Sequence, residues 1–134
     1  MRKTYTGGCH CGAVRFEADV DLAAGTGKCN CSICAKNRFW SARARPADFR
    51  LLAGAEALSD YRFNSKSVQH LFCRHCGVHP FEHAEIPEAG GEYYTLNVAC
   101  LDEVDVNELV SAPVTYFDGR NNNWWSAPAE TRHL

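Results

Sequence analysis

The sequence predicts a mainly β fold of short antiparallel strands with cysteine knuckles at their ends. Three observations lead there. Apolar and polar residues alternate over short runs, β-branched and aromatic residues fill those runs, and no stretch carries the sustained 3.6-residue period of a long amphipathic helix. With 134 residues, 46% of them hydrophobic, the chain has the size of one ordinary domain and enough apolar mass for a core. Residues 1–134 therefore read as a single domain.

The elements follow in order. Ala13 to Ala18 alternates as a half-buried strand should, and Phe39 to Ala44 reads as a second strand. Pro46-Ala47-Asp48-Phe49 reads as a single helical turn, with proline tolerated at its start. Phe49 to Leu52 and Ser59 to Phe63 read as strands around a turn at Gly54. Val68 to Phe72 leads as a strand into the last cysteine pair, and Val78 to Glu82 and Tyr93 to Val98 follow as further strands. Asp105 to Val110 reads as a short helix that ends ahead of Pro113. Strand order is not legible at this level. The only low-complexity tract is Asn121-Asn122-Asn123.

Composition excludes several classes. The net charge is −2, and the 14 basic residues are scattered rather than striped, so nucleic acid finds no electrostatic footprint. No apolar run approaches the roughly 18 residues of a membrane span. Met1 to Tyr5 runs directly into Gly7-Gly8-Cys9 without a signal-peptide core, which leads to the expectation of a cytoplasmic protein. Eight cysteines in a reducing compartment read as metal ligands more readily than as disulfides.

Seven of those eight fall in three groups: Cys9-His10-Cys11, Cys29-Asn30-Cys31-Ser32-Ile33-Cys34 and Cys73-Arg74-His75-Cys76. Zinc takes four thiolates in a tetrahedron, and closely spaced cysteines on a turn deliver two to one ion. The first and third groups together, Cys9, Cys11, Cys73 and Cys76, supply a closed structural site. The middle group, Cys29, Cys31 and Cys34, supplies three sulfurs and one open position, the arrangement of a catalytic zinc. Three thiolates leave that site formally −1, which suits capture of an incoming thiol better than generation of hydroxide. Two zinc ions per chain are expected.

Alternatives stand beside this reading. Cys100 is a fourth ligand of the middle group, a neighbour of an open site, or plain core. Cys73 and Cys76 are metal ligands or a redox dithiol. His10 and His75 are ligands, second-sphere donors to sulfur, or simply exposed. His79 or His83 carries protons if it faces the open position, and is otherwise a surface residue. Trp124-Trp125 and Tyr93-Tyr94 line a pocket or pack in the core or at an edge.

At these motifs the sequence becomes recognisable. Gly7-Gly8-Cys9-His10-Cys11-Gly12-Ala13-Val14-Arg15-Phe16, Cys29-Asn30-Cys31-Ser32-Ile33-Cys34 and Phe72-Cys73-Arg74-His75-Cys76-Gly77-Val78 resemble the glutathione-dependent formaldehyde-activating enzyme family, shared with centromere protein V. The resemblance runs from about Tyr5 to Trp125, and Phe49 to Glu56 with Cys100 to Glu103 leans toward the centromere protein V branch. It implies an Mss4-like fold, a structural zinc on Cys9, Cys11, Cys73 and Cys76, and a catalytic zinc on Cys29, Cys31 and Cys34. The activity it implies is that of a carbon–sulfur lyase acting on a glutathione-type thiol adduct such as S-hydroxymethylglutathione, with a small-molecule thiol as partner. The rival expectation is a non-catalytic zinc-stabilised binding module.

Overall fold

The computed structural model describes residues 1–134. Its strands are β1 (Lys3–Gly8), β2 (Arg15–Val20), β3 (Thr26–Cys29), β4 (Ser41–Ala44), β5 (Phe49–Ala53), β6 (Leu58–Tyr61), β7 (Val68–Cys73), β8 (Phe81–Ile86), β9 (Gly91–Asn97) and β10 (Val114–Phe117). Two short helices, α1 (Ser32–Asn37) and α2 (Val106–Ser111), and several single 3-10 turns complete it. One sheet has the order β1-β2-β5 and the other β10-β3-β4-β9-β8-β7-β6. Pairing is antiparallel except between β10 and β3. No helix is long and apolar enough to cross a membrane.

Alternation builds the core. In β2 every second residue, Phe16, Ala18 and Val20, is buried, and these face the second sheet. There Ala42, Ala44, Phe81 and Leu96 meet them. Phe49 stacks on Tyr94 with ring centroids 4.1 Å apart and on Phe16 at 5.4 Å, while Phe81 packs edge-on against Phe16 at 5.8 Å. Such aromatic pairs add about 0.5–1.5 kcal/mol each beyond their buried area.

The same alternation defines an outer face on the large sheet. Residues directly opposite on antiparallel strands share a face. Register pairs Ser41 with Asn97, Arg43 with Thr95, Thr95 with Glu82 and Glu82 with His70. All of these lie on the side away from Phe81, Leu96 and Ala42. Cys29 has the parity of Gly27, which opposes Ser41, so β3 delivers Cys29 to that outer face too.

The strand after Ala13, the proline-led turn at Pro46–Asp48, β7, β9 and the helix capped by Asp105 fall where the sequence puts them. The strands around the Gly54 turn are also present: Gly54 adopts a left-handed conformation (φ 93°), and β5 and β6 on either side of it join different sheets. One expectation shifts. The strand expected at Val78 begins at Phe81, because Val78 is used to close the preceding turn, its carbonyl accepting the Cys73 N–H at 3.0 Å.

Candidate metal centres

Both knuckles of the first cluster are hairpin turns built on one plan. The Cys9 N–H donates to the Val14 carbonyl (3.1 Å), and the Cys73 N–H donates to the Val78 carbonyl (3.0 Å). Gly12 and Gly77 complete the turns at φ 84° and 78°, conformations that glycine adopts without a Cβ clash. One hairpin belongs to the small sheet and the other to the large sheet, so the cluster joins the two sheets.

The four sulfurs of Cys9, Cys11, Cys73 and Cys76 lie within 4.8 Å of one another. Cys9 Sγ is 3.6 Å from Cys11 Sγ, which is 3.7 Å from Cys73 Sγ. A tetrahedron of zinc–sulfur bonds near 2.3 Å has edges of about 3.8 Å, so the donor set fits that ion. The Val14 N–H donates to Cys9 Sγ at 3.3 Å. The N–H groups of Val78 and Cys11 hold the Cys76 thiol down to about 6, already poised as the thiolate a cation takes. Cys73 and Cys76 are thus no isolated dithiol.

The second cluster gathers Cys29, Cys31 and Cys34, again with sulfurs within 4.8 Å. Cys29 ends β3, Cys31 caps α1, and Cys34 lies within the helix. The Cys31 N–H donates to Cys29 Sγ at 3.3 Å. Crowding splits the acidities of these thiols. Cys31 is pulled well below the ordinary thiol range by hydrogen bonds from the Cys29 and Cys34 thiols, with the Cys34 and Ile33 N–H groups adding to the effect. Cys34 is pushed up by the Cys29 and Cys31 sulfurs and by burial, and the Glu82 carboxylate contributes.

A polar network pins this knuckle from behind. Buried Asn30 donates to Asp118 Oδ1 (2.8 Å) and accepts the Arg120 N–H (2.9 Å). Asp118 also accepts from the Asn121 amide at 2.9 Å. The asparagine tract is therefore a built turn: Asn122 takes the left-handed conformation (φ 55°) and accepts the Trp124 indole N–H at 2.8 Å. Gly119 lets the site close up, because a Cβ there would sit 2.7 Å from Cys29 Sγ and 2.6 Å from the Trp124 ring. Asn30, Asp118, Gly119 and Glu82 are site residues that sequence reasoning missed. Asn30, inside a cysteine motif, was the one with a local signal.

The remaining sequence candidates separate cleanly. Cys100 Sγ is not gathered into either cluster. It donates to the His79 carbonyl at 3.7 Å. Burial raises its thiol to about 11, with the negative charge of Cys9, Asp102 and Cys76 adding to the shift. It is therefore a neighbour of the four-sulfur cluster, not of the three-sulfur one. His10 and His75 are exposed. His83 lies on the core side of β8, 4.8 Å from the Tyr94 ring, facing away from the second cluster. His79 packs at a tilt against Phe72, with ring centroids 5.2 Å apart, and keeps a buried Nδ1 without a partner. Tyr94 is core, Tyr93 lies under Arg43, and Trp124 walls the second cluster while Trp125 is exposed. All eight cysteines are free, so no disulfide framework exists.

The carboxylate nearest in effect to the second cluster is Glu82. It holds His70 Nδ1 at 2.6 Å, and both side chains are largely buried. His70 stacks on Phe63 at 5.3 Å. Phe63 and Tyr61 in turn line a cleft with Ser32, Ile33 and Lys36 of α1, which sets the helix and its cysteines over this part of the outer face.

Comparison with known proteins agrees with this geometry. The crystal structure of a Rhodobacter sphaeroides protein is 36% identical to this chain and superposes with a TM-score of 0.70, over 82% of this chain and 99% of that one. The model of the glutathione-dependent formaldehyde-activating enzyme family matches residues 4–118, a span that contains all three cysteine motifs. On that match the chain belongs to the glutathione-dependent formaldehyde-activating enzyme family.

Proposed function

We propose that this protein is a zinc-dependent carbon–sulfur lyase acting on a glutathione-type thiol adduct such as S-hydroxymethylglutathione. In this reading Cys9, Cys11, Cys73 and Cys76 hold a structural zinc, and Cys29, Cys31 and Cys34 hold a catalytic one. The observation that carries it is the count of sulfurs in the second cluster: three, with Cys100 placed beside the other cluster. A zinc ion there supplies a Lewis acid that favours the thiolate form of an incoming thiol. The eight free thiols fit a reducing compartment such as the cytoplasm.

The chain's own residues supply the proton chemistry. Glu82 lies on the same face of the large sheet as Cys29, its charge is felt at Cys34, and it is oriented by His70. In the cleavage direction the C–S bond breaks with its electron pair going to sulfur. The hydroxyl proton passes to the Glu82 carboxylate as the carbonyl forms. In the condensation direction a sulfur lone pair forms the C–S bond, and the resulting alkoxide takes the proton back from Glu82. Burial of the Glu82–His70 pair keeps competing water away from this transfer.

The test is exchange of carbon-13 formaldehyde with glutathione, followed by NMR at equilibrium. The protein carrying both ions is expected to speed interconversion with the hydroxymethyl adduct above the rate in buffer and above that of the metal-stripped chain. A rate equal to that in buffer, with both ions bound, would reduce the protein to a zinc-stabilised binding module.

A further inference from the structure

Residues 119–134 lie beyond the span that the family model matches, yet they return to the second cluster twice. Trp124 walls Cys29, as the close approach at Gly119 shows. Leu134 closes a separate crevice whose other walls include Cys29, Cys34, Ala35 and Phe39. The space left in that crevice is about 10 Å³, room for one water at most and none for a thiol.

The hold on this segment is slight. From Ala127 to Leu134 no backbone group pairs with the rest of the chain, and the one backbone bond is internal, from the Leu134 N–H to the Thr131 carbonyl at 3.0 Å. Two long cations supply the outer ties. The Arg38 guanidinium donates to the His133 carbonyl at 3.1 Å. The Lys28 ammonium, lying over the Trp40 ring, donates to the Leu134 carbonyl at 3.4 Å. Glu130 and Arg132 pair with each other and not with the body of the protein. Leu134 is half-buried, and Arg132 and His133 are exposed. Few buried apolar contacts and exposed hydrogen bonds mark a segment that opens far more readily than the fold melts.

Arg38 is an unfavourable residue for its place. It ends α1 in the left-handed conformation (φ 50°), its N–H on the Cys34 carbonyl, where helices ordinarily put glycine. The side chain that glycine would lack is the one that holds His133.

We propose that residues 127–134 form a strap over the second cluster, with Leu134 as its plug. Closed, the strap keeps water and thiols from Cys29 and Cys34; lifted, it admits them. A site that must take in a soluble thiol and then work without water needs both states. The strap rests on the reading of the second cluster as the reactive one, and not on which adduct is cleaved there.

The experiment is timed labelling of the metal-loaded full chain with N-ethylmaleimide, each cysteine being read by peptide mass mapping, in wild type, Leu134→Ser and Arg38→Gly. Leu134→Ser removes the plug. Arg38→Gly removes the tie to His133 while giving α1 the residue its left-handed end prefers, so a gain in reactivity is not fraying of the helix. Both variants are expected to label Cys29 and Cys34 about fivefold faster or more, with Cys9, Cys11, Cys73 and Cys76 at wild-type rates. Arg38→Lys, which keeps a donor, should label more slowly than Arg38→Gly. Labelling of Cys29 and Cys34 at the wild-type rate in both variants overturns the strap. An equal gain at the first cluster does so too, since it marks a general loosening. If the variants label faster but the wild type fails to speed formaldehyde exchange, the strap stands and the lyase reading falls. If labelling is unchanged while exchange is catalysed, the strap alone falls.

Discussion

Cys73→Ser is expected to cost this chain its fold. Cys73 is fully buried, ends β7, and lies with its sulfur 3.7 Å from that of Cys11 in the other sheet's hairpin. A structural zinc is worth about 10–16 kcal/mol in small peptides, against a total stability of about 5–15 kcal/mol for a domain. Losing one ligand of a closed site forfeits most of the first figure and leaves a buried hydroxyl among thiolates. Native mass spectrometry should show one ion fewer, and the thermal transition followed by circular dichroism should vanish. Cys34→Ser should likewise lose one ion yet keep a cooperative transition. Its knuckle is also held by the Asn30–Asp118 network, and it does not bridge the two sheets. A Cys73→Ser protein that melts like the wild type would remove the structural role assigned to the first cluster.

The second large effect is on turnover. Glu82→Gln keeps the shape of the side chain and an oxygen for His70, and removes only the ability to carry a proton. General acid–base groups contribute about 10²–10⁴-fold, so the exchange rate should fall by about 100-fold or more. Metal content and glutathione affinity should be unchanged. Glu82→Asp should retain more activity than Glu82→Gln, an ordering that a purely structural role for the carboxylate would not produce. Equal rates in wild type and Glu82→Gln would show that the proton goes elsewhere.

Both clusters were legible in the sequence because their ligands are local. Cys-x-Cys and Cys-x-x-Cys spacing, with a following glycine, encodes a chelating turn within a handful of residues. The strands with clean alternation, such as β2, were legible for the same reason. What failed to show was either too short or too distant. Thr26-Gly27-Lys28-Cys29 carries a glycine and a lysine and has no strand signature of its own, yet it becomes β3 because β4 and β10 pair with it. Six-residue α1 begins with a cysteine at its cap instead of a serine or aspartate. The Asn30–Asp118 bond spans 88 residues. The proton carrier was sought among His79 and His83, whereas the β7–β8 register puts Glu82 and His70 on the cluster's side of the sheet and His83 on the other. One-residue parity decides that, and no sequence pattern reports the register of two strands separated by a seven-residue knuckle.

The vacancy in the second cluster can be examined directly by substituting cobalt for zinc and recording the visible spectrum as glutathione is added. A shift of the cobalt bands with growth of sulfur charge-transfer absorption, seen in the wild type and absent in Cys34→Ser, is the expected result. A spectrum that saturating glutathione leaves untouched would mean that both ions are already fully coordinated by the protein, in contradiction to the open site.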